Sequence, residues 1–193
     1  MHLSRFQAFL RNFFEETRGS LMVEAVITIP LLFWMIAATF EFFEVHRYKS
    51  VREKATFTLA DMISRETSPG GITSVYIDNA KVLFDEITND SGVNQIRVSV
   101  ISYDADSNEY GIAWSQVRGS GSLAPLTDGE VRSAHASLPV VSDGEEIILI
   151  ESISNYDPLF NVGINDVTMQ TRVFSAIRFA PQICYEGTCG LHS

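Results

Sequence analysis

The chain has 193 residues and a formal net charge of −10, from 24 acidic and 14 basic side chains. That length holds one ordinary domain plus an appendage, and the composition is that of a folded protein, not a disordered one. From Ser68 onward 16 acids face 6 bases, which excludes the basic footprint of a nucleic-acid binder and disfavours adhesion of this part to anionic lipid.

Residues 1–19 carry Arg5, Arg11 and Arg18, offset by Glu15 and Glu16. An apolar block follows. From Ala25 to Phe40 no residue is charged, and Leu21–Phe43 contains only Glu24 and Glu41. As a helix rising 1.5 Å per residue this block is about 34 Å long, enough for the hydrocarbon core of a bilayer. Thr28 and Pro30 are tolerated in such a helix. The bland alternative, a core helix of a soluble protein, rarely sustains so long a run. The spacing therefore predicts a transmembrane segment over 20–43.

Over 44–66 the pattern changes. Val45, Tyr48, Val51, Ala55, Leu59, Met62 and Ile63 recur every three or four residues, with Arg47, Lys49, Arg52, Glu53, Lys54 and Asp61 between them. This is an amphipathic continuation of the same helix, ended by Thr67-Ser68-Pro69-Gly70-Gly71. Residues 67–193 read as an α+β globular domain. Ser74 is a candidate cap for a second helix reaching about Asn89, with Tyr76, Ala80, Leu83, Phe84 and Ile87 on its buried face. Ile96, Val98 and Val100 alternate with Arg97 and Ser99, and Tyr110, Ile112 and Trp114 alternate likewise, as strands do. Asp104–Asn108 reads as the hairpin tip between them. Ile147–Ile150 is continuously apolar and suits a central strand covered on both faces. Val167, Met169, Val173, Ile177 and Phe179 line one side of a long final strand. Gly119–Gly144 is a long connection with a helical turn near Val131–Ala136 and no assigned role. The expected architecture is a four-stranded antiparallel sheet with helices on one face.

The only two cysteines, Cys184 and Cys189, enclose Tyr-Glu-Gly-Thr. The spacing suits a small disulfide loop better than a zinc site, with unpaired thiols as the alternative. A bridge implies an oxidising compartment, and in so short a loop it stabilises by about 2 kcal/mol.

Immediately before the apolar block stands Arg18-Gly19-Ser20-Leu21-Met22-Val23-Glu24. This resembles a type IV prepilin junction, specifically that of the TadE/TadF-like minor pseudopilins of tight-adherence (Flp) pilus systems. Those proteins have a basic leader ending in Gly, a small residue next, and Glu at the fifth mature position. Gly19, Ser20 and Glu24 match these positions, and Pro30 falls where TadE-like proteins often have one. Asn155-Tyr156-Asp157-Pro158-Leu159-Phe160 is similar to a Tyr-x-Pro segment of the same families. The resemblance covers residues 1–66 well and the remainder in outline. It implies a pilin-like fold and a leader over 1–19 removed by a prepilin peptidase. It also implies a single-pass protein of the bacterial inner membrane with its domain in the periplasm. Its implied partners are other Tad pilus subunits and inner-membrane assembly proteins.

The residues give a reading of their own beside this. A lone carboxylate costs about 2.5–3.5 kcal/mol at the centre of a bilayer and less near its edge. Cleavage after Gly19 would give Ser20 a free amine one helical turn before Glu24, so that the two charges can pair within or between subunits. The alternative is that Glu24 snorkels to the interface. Glu41, at the other edge of the run, is explained by an interfacial position. Orientation is contested: Arg47, Lys49, Arg52, Lys54 and Arg65 on the far side would hold the domain in the cytoplasm by the positive-inside rule, whereas the cysteines and the resemblance place it outside. The expectation is outside.

Catalytic motifs are absent from the sequence. There is no Gly-x-Ser-x-Gly elbow, phosphate loop, His-Glu-x-x-His pair or dinucleotide fingerprint. Of His2, His46, His135 and His192, the first lies in the leader, the second just past the apolar block and the last is the penultimate residue, which leaves His135 as the one candidate inside the domain. Gly119-Ser120-Gly121 reads as a flexible loop, and Asp104, Asp106 and Glu109 as a solvated hairpin tip in preference to a calcium site. No enzyme activity, cofactor or metal is expected. Two other function classes remain: an unprocessed single-pass membrane protein with a sensing or binding domain, and a secreted protein whose apolar block is a signal core. The block is too long for the latter, and Ala37-Ala38-Thr39 is a poor cleavage site.

Overall fold

The computed structural model describes residues 17–90 and 94–189. Residues 1–16, which hold most of the expected leader, lie outside that range. The chain forms two units: one holds the chain up to Glu44 together with Pro158–Asn165, the other Val45–Asp157 with Asp166–Ser193. Their elements, in chain order, are helix α1 (Thr17–Ser64), helix α2 (Ser74–Thr88), strands β1 (Asn94–Asp104) and β2 (Glu109–Gly119), the short helix α3 (Asp128–Ser133) with a 3₁₀ turn at His135–Ser137, and strands β3 (Glu146–Tyr156) and β4 (Val167–Ala176). The class is α+β, as expected.

In the second unit the four strands form one antiparallel sheet in the order β2-β1-β3-β4. Successive residues of a strand point to opposite faces, and both faces are apolar at the centre of the sheet. On one face Ile96, Val98, Val100, Trp114, Ile148, Ile150 and Val173 meet Ala55, Leu59 and Ile63 of α1 and Ile77, Ala80 and Phe84 of α2 in a single buried cluster. On the other, Ile101, Tyr110, Ile147 and Leu149 pack against Val131 and Leu138. The long connection between β2 and β3 is therefore structural, and with α3 it roofs the second face. Helix α3 starts in a capping box, Thr127 accepting from the Glu130 N–H while the Glu130 carboxylate accepts from the Thr127 N–H.

Several local expectations are corrected. The cap of α2 is Thr73, whose hydroxyl accepts from the Tyr76 N–H at 3.2 Å, not Ser74. The last strand ends at Ala176, and Phe179 is exposed beyond it. Arg52 belongs to the buried side of the amphipathic helix and is only 2% exposed. Its guanidinium lies 3.0 Å from the centre of the Tyr48 ring and 2.5 Å from the Asp90 carboxylate, so stacking and an ion pair both offset its desolvation. Tyr48 in turn donates to the Asn155 carbonyl at 2.7 Å and meets Tyr156 edge-on, with burial pushing its pKa upward.

Cys184 and Cys189 are joined by a disulfide. The loop it closes docks on the chain leaving α1: the Ile72 N–H donates to the Cys184 carbonyl at 2.7 Å, and the Glu186 N–H donates to the Ile72 carbonyl at 2.9 Å. Trp114 completes the seam, its indole N–H donating to the Ile183 carbonyl at 2.6 Å while its ring faces Tyr185.

Candidate functional site

The candidate site is the N-terminal part of α1, where the sequence reading places the processing junction, the membrane segment and Glu24. The helix runs without interruption from Thr17 through Gly19, Ser20, Glu24 and Pro30. Pro30 has no N–H to offer the Val26 carbonyl, so this turn keeps one acceptor for another partner. Thr39 bonds back to the Met35 carbonyl at 2.8 Å, satisfying its hydroxyl within the helix.

Every residue from Leu21 to Ile36 is exposed. Leu21, Met22, Val26, Ile27, Phe33 and Trp34 each leave more than half of their surface uncovered. A core helix of a soluble protein would bury such side chains. Here an 18-residue apolar window is wholly unburied, and the helix is long and apolar enough to cross a membrane.

Gly19 is exposed, and a Cβ built on it would meet no atom within 4 Å. The backbone there is open to close approach by another molecule. Ser20 is helical, while its side chain lies outside the described residues. Glu24 is exposed on the same helix, four residues on, so the Ser20 backbone nitrogen and the Glu24 side chain belong to successive turns.

Glu41 differs from Glu24. It is completely buried, and its carboxylate accepts from the Phe160 N–H at 3.2 Å, while the Phe40 and Phe160 rings meet edge-on with centroids 5.9 Å apart. The sequence reading explained Glu41 by an interfacial position alone and missed this cover. The signal in the sequence is Pro158-Leu159-Phe160, an uncharged apolar patch in a loop.

A second polar cluster was also missed. Arg97, Glu151 and Arg172 stand in register on β1, β3 and β4. Glu151 is fully buried; its Oε2 accepts from Arg97 Nε at 2.7 Å and also from an Arg97 terminal nitrogen, and its Oε1 accepts from Arg172 Nε at 3.0 Å. Arg97 donates further to the Ala124 carbonyl at 2.7 Å. With both carboxylate oxygens bonded to permanent cations, this cluster ties the sheet together and leaves no basic or nucleophilic atom free for chemistry.

The other sequence candidates resolve into local structure. The Asp104 carboxylate accepts from the Asp106 and Ser107 N–H groups and the Ser107 hydroxyl, bonds that hold its pKa below the usual carboxylate range. That is the wiring of a turn. His135 lies edge-on to Tyr110. Among the described residues no group of three or more His, Cys, Asp or Glu is placed to hold a metal ion. No protein-family model, no curated protein and no solved structure matches the chain.

Proposed function

We propose that this chain is a minor pilin or pseudopilin of a tight-adherence (Flp) pilus apparatus, similar to the TadE/TadF-like subunits. In this reading a prepilin peptidase removes residues 1–19. The protein stays in the bacterial inner membrane through one helix, and its α+β domain faces the periplasm. Its work is mechanical: lateral packing of the helix, and presentation of the domain to other pilus subunits and assembly proteins. The observation that carries the proposal is the junction Arg18-Gly19-Ser20 with Glu24 at the fifth position after the cut, at the start of an apolar helical stretch, Leu21–Ile36, in which every residue is exposed.

The physical argument supports a coupling between cleavage and assembly. Processing removes three arginines and creates one amine at Ser20, a turn away from Glu24. In a low-dielectric setting that pair attracts strongly, within one subunit or between neighbours, and an unpaired Glu24 resists insertion. The disulfide supports an extracytoplasmic domain. Co-expression with and without a prepilin peptidase tests the reading. A membrane-bound form lacking 19 residues should accumulate only with the active peptidase; a single unchanged form in both cases would favour the unprocessed membrane protein instead.

A further inference from the structure

Residues 158–165, Pro-Leu-Phe-Asn-Val-Gly-Ile-Asn, contain no charge and are bounded by Asp157 and Asp166. They join β3 to β4 yet form one unit with the N-terminal part of α1. The Val162 N–H donates to the Phe160 carbonyl at 2.9 Å, a three-residue turn that folds the loop back on itself. Leu159 is 75% exposed and Phe160 41%. A surface loop ordinarily turns polar side chains to water. This one turns out two large apolar ones, next to a helix whose own apolar residues are uncovered.

Depth along the helix gives those side chains a partner. If Leu21–Phe43 spans the bilayer, Phe40 lies three residues, about 4.5 Å, inside the end of the span. The Phe160 ring centroid is 5.9 Å from that of Phe40. Phe160 and its neighbour Leu159 are then held at the boundary between acyl chains and headgroups, the layer in which interfacial segments bury Phe and Leu side chains while their polar groups stay in water. Phe42 and Phe43, edge-on to one another and exposed, surround the same level. Glu41, which would otherwise face this layer, is buried under the loop and accepts the Phe160 N–H.

We propose that residues 158–165 are a second membrane-contacting element: a loop clamped on α1 at Phe40 and Glu41 that sets Leu159 and Phe160 into the interfacial layer of the bilayer. It shields the Glu41 carboxylate from lipid and fixes how deeply the helix sits. The proposal rests on the membrane-span reading of α1, and its test separates the two.

The test is nitroxide accessibility in the full-length protein, reconstituted in phosphatidylcholine vesicles with its disulfide kept oxidised. Single cysteines at Leu159→Cys, Leu32→Cys and Val140→Cys are labelled, and collision with oxygen and with a neutral nickel chelate is compared. Leu159 and Val140 are both strongly exposed, so neither substitution disturbs the fold. Leu32 reports the span, and Val140 gives the water reference. The expected result is a several-fold higher oxygen-to-nickel ratio at 159 than at 140, approaching that at 32. A lipid-like value at 32 with a water-like value at 159 would overturn the loop proposal and leave the span intact. A water-like value at 32 would overturn both. Shielding of 159 from both reagents would mean that protein, such as a second copy, covers the loop, and would also overturn it.

Discussion

Arg97 and Glu151 face each other across β1 and β3, the arginine Nε 2.7 Å from a carboxylate that is fully buried. Arg172 holds the other oxygen from β4 but is itself 42% exposed. The two arginines are therefore unequal. Removing Arg97 leaves the buried Glu151 carboxylate with only the half-exposed Arg172 as its cation, a loss approaching the about 3–5 kcal/mol of a broken buried pair, whereas removing Arg172 leaves the more buried Arg97–Glu151 pair intact and costs less. Arg97→Ala should lower the unfolding midpoint of the full-length protein in detergent far more than Arg172→Ala, as read by near-ultraviolet circular dichroism. Equal effects would show that the register-matched cluster does not anchor the sheet.

Gly71 has a positive φ of 74°, and a Cβ there would lie 2.7 Å from the Cys184 carbonyl carbon and 2.9 Å from its Cβ. Both the backbone conformation and the close approach of the disulfide loop demand glycine at this position. Gly71→Ala should destabilise by more than about 1 kcal/mol, and the loop should then reduce more readily with dithiothreitol. Gly129→Ala is the control, since nothing lies within 4 Å of its Cβ position.

Tyr76 links helix α2 to the end of α1. Burial foremost, then the charge of Glu66 and a hydrogen bond to it, push its pKa up to about 12. Because the folded value lies above the ordinary value of 10.0, the unfolded chain loses this proton first as pH rises. The contribution is intact below pH 10 and is lost between pH 10 and about 12. Ultraviolet titration of the tyrosines should show one group ionising near the upper end of that window, absent in Tyr76→Phe, and the variant should lose less stability across it.

Glu24 is exposed on the apolar part of α1, and the proposed function gives it a partner in the Ser20 amine of its own or a neighbouring chain. Glu24→Ala should insert in the membrane at least as well as the natural chain, because it removes a charge that is costly near lipid. It should, however, recover fewer pilus proteins on co-purification, by about tenfold if the lost pairing is near 1.4 kcal/mol. Undiminished recovery would remove the pairing from the account.

Much of this fold was legible because its signals are local. An uncharged run and a three-to-four-residue stripe define α1, and period-two alternation marks β1 and β2. What escaped depends on residues far apart in sequence. Arg97 looked like the wet side of a strand, and only the register with β3, 54 residues away, shows Glu151 beneath it. Arg52 read as a solvated residue until Tyr48 and Asp90 enclosed it. The cover over Glu41 comes from Phe160, 119 residues along the chain, which no window of helical periodicity can reach. The β2–β3 connection carries too few regular residues to announce that it roofs a sheet. The proposed processing junction stands differently: its four defining residues are contiguous or one turn apart, so its signal lies in the sequence alone.

The N-terminus of the protein recovered from membranes of cells that hold the pilus apparatus tests the central claim most directly. Edman degradation or intact mass should give Ser20 as the first residue, with Glu24 fifth. A chain that still begins at Met1 would contradict the account, and the amine that Glu24 is proposed to meet would not exist.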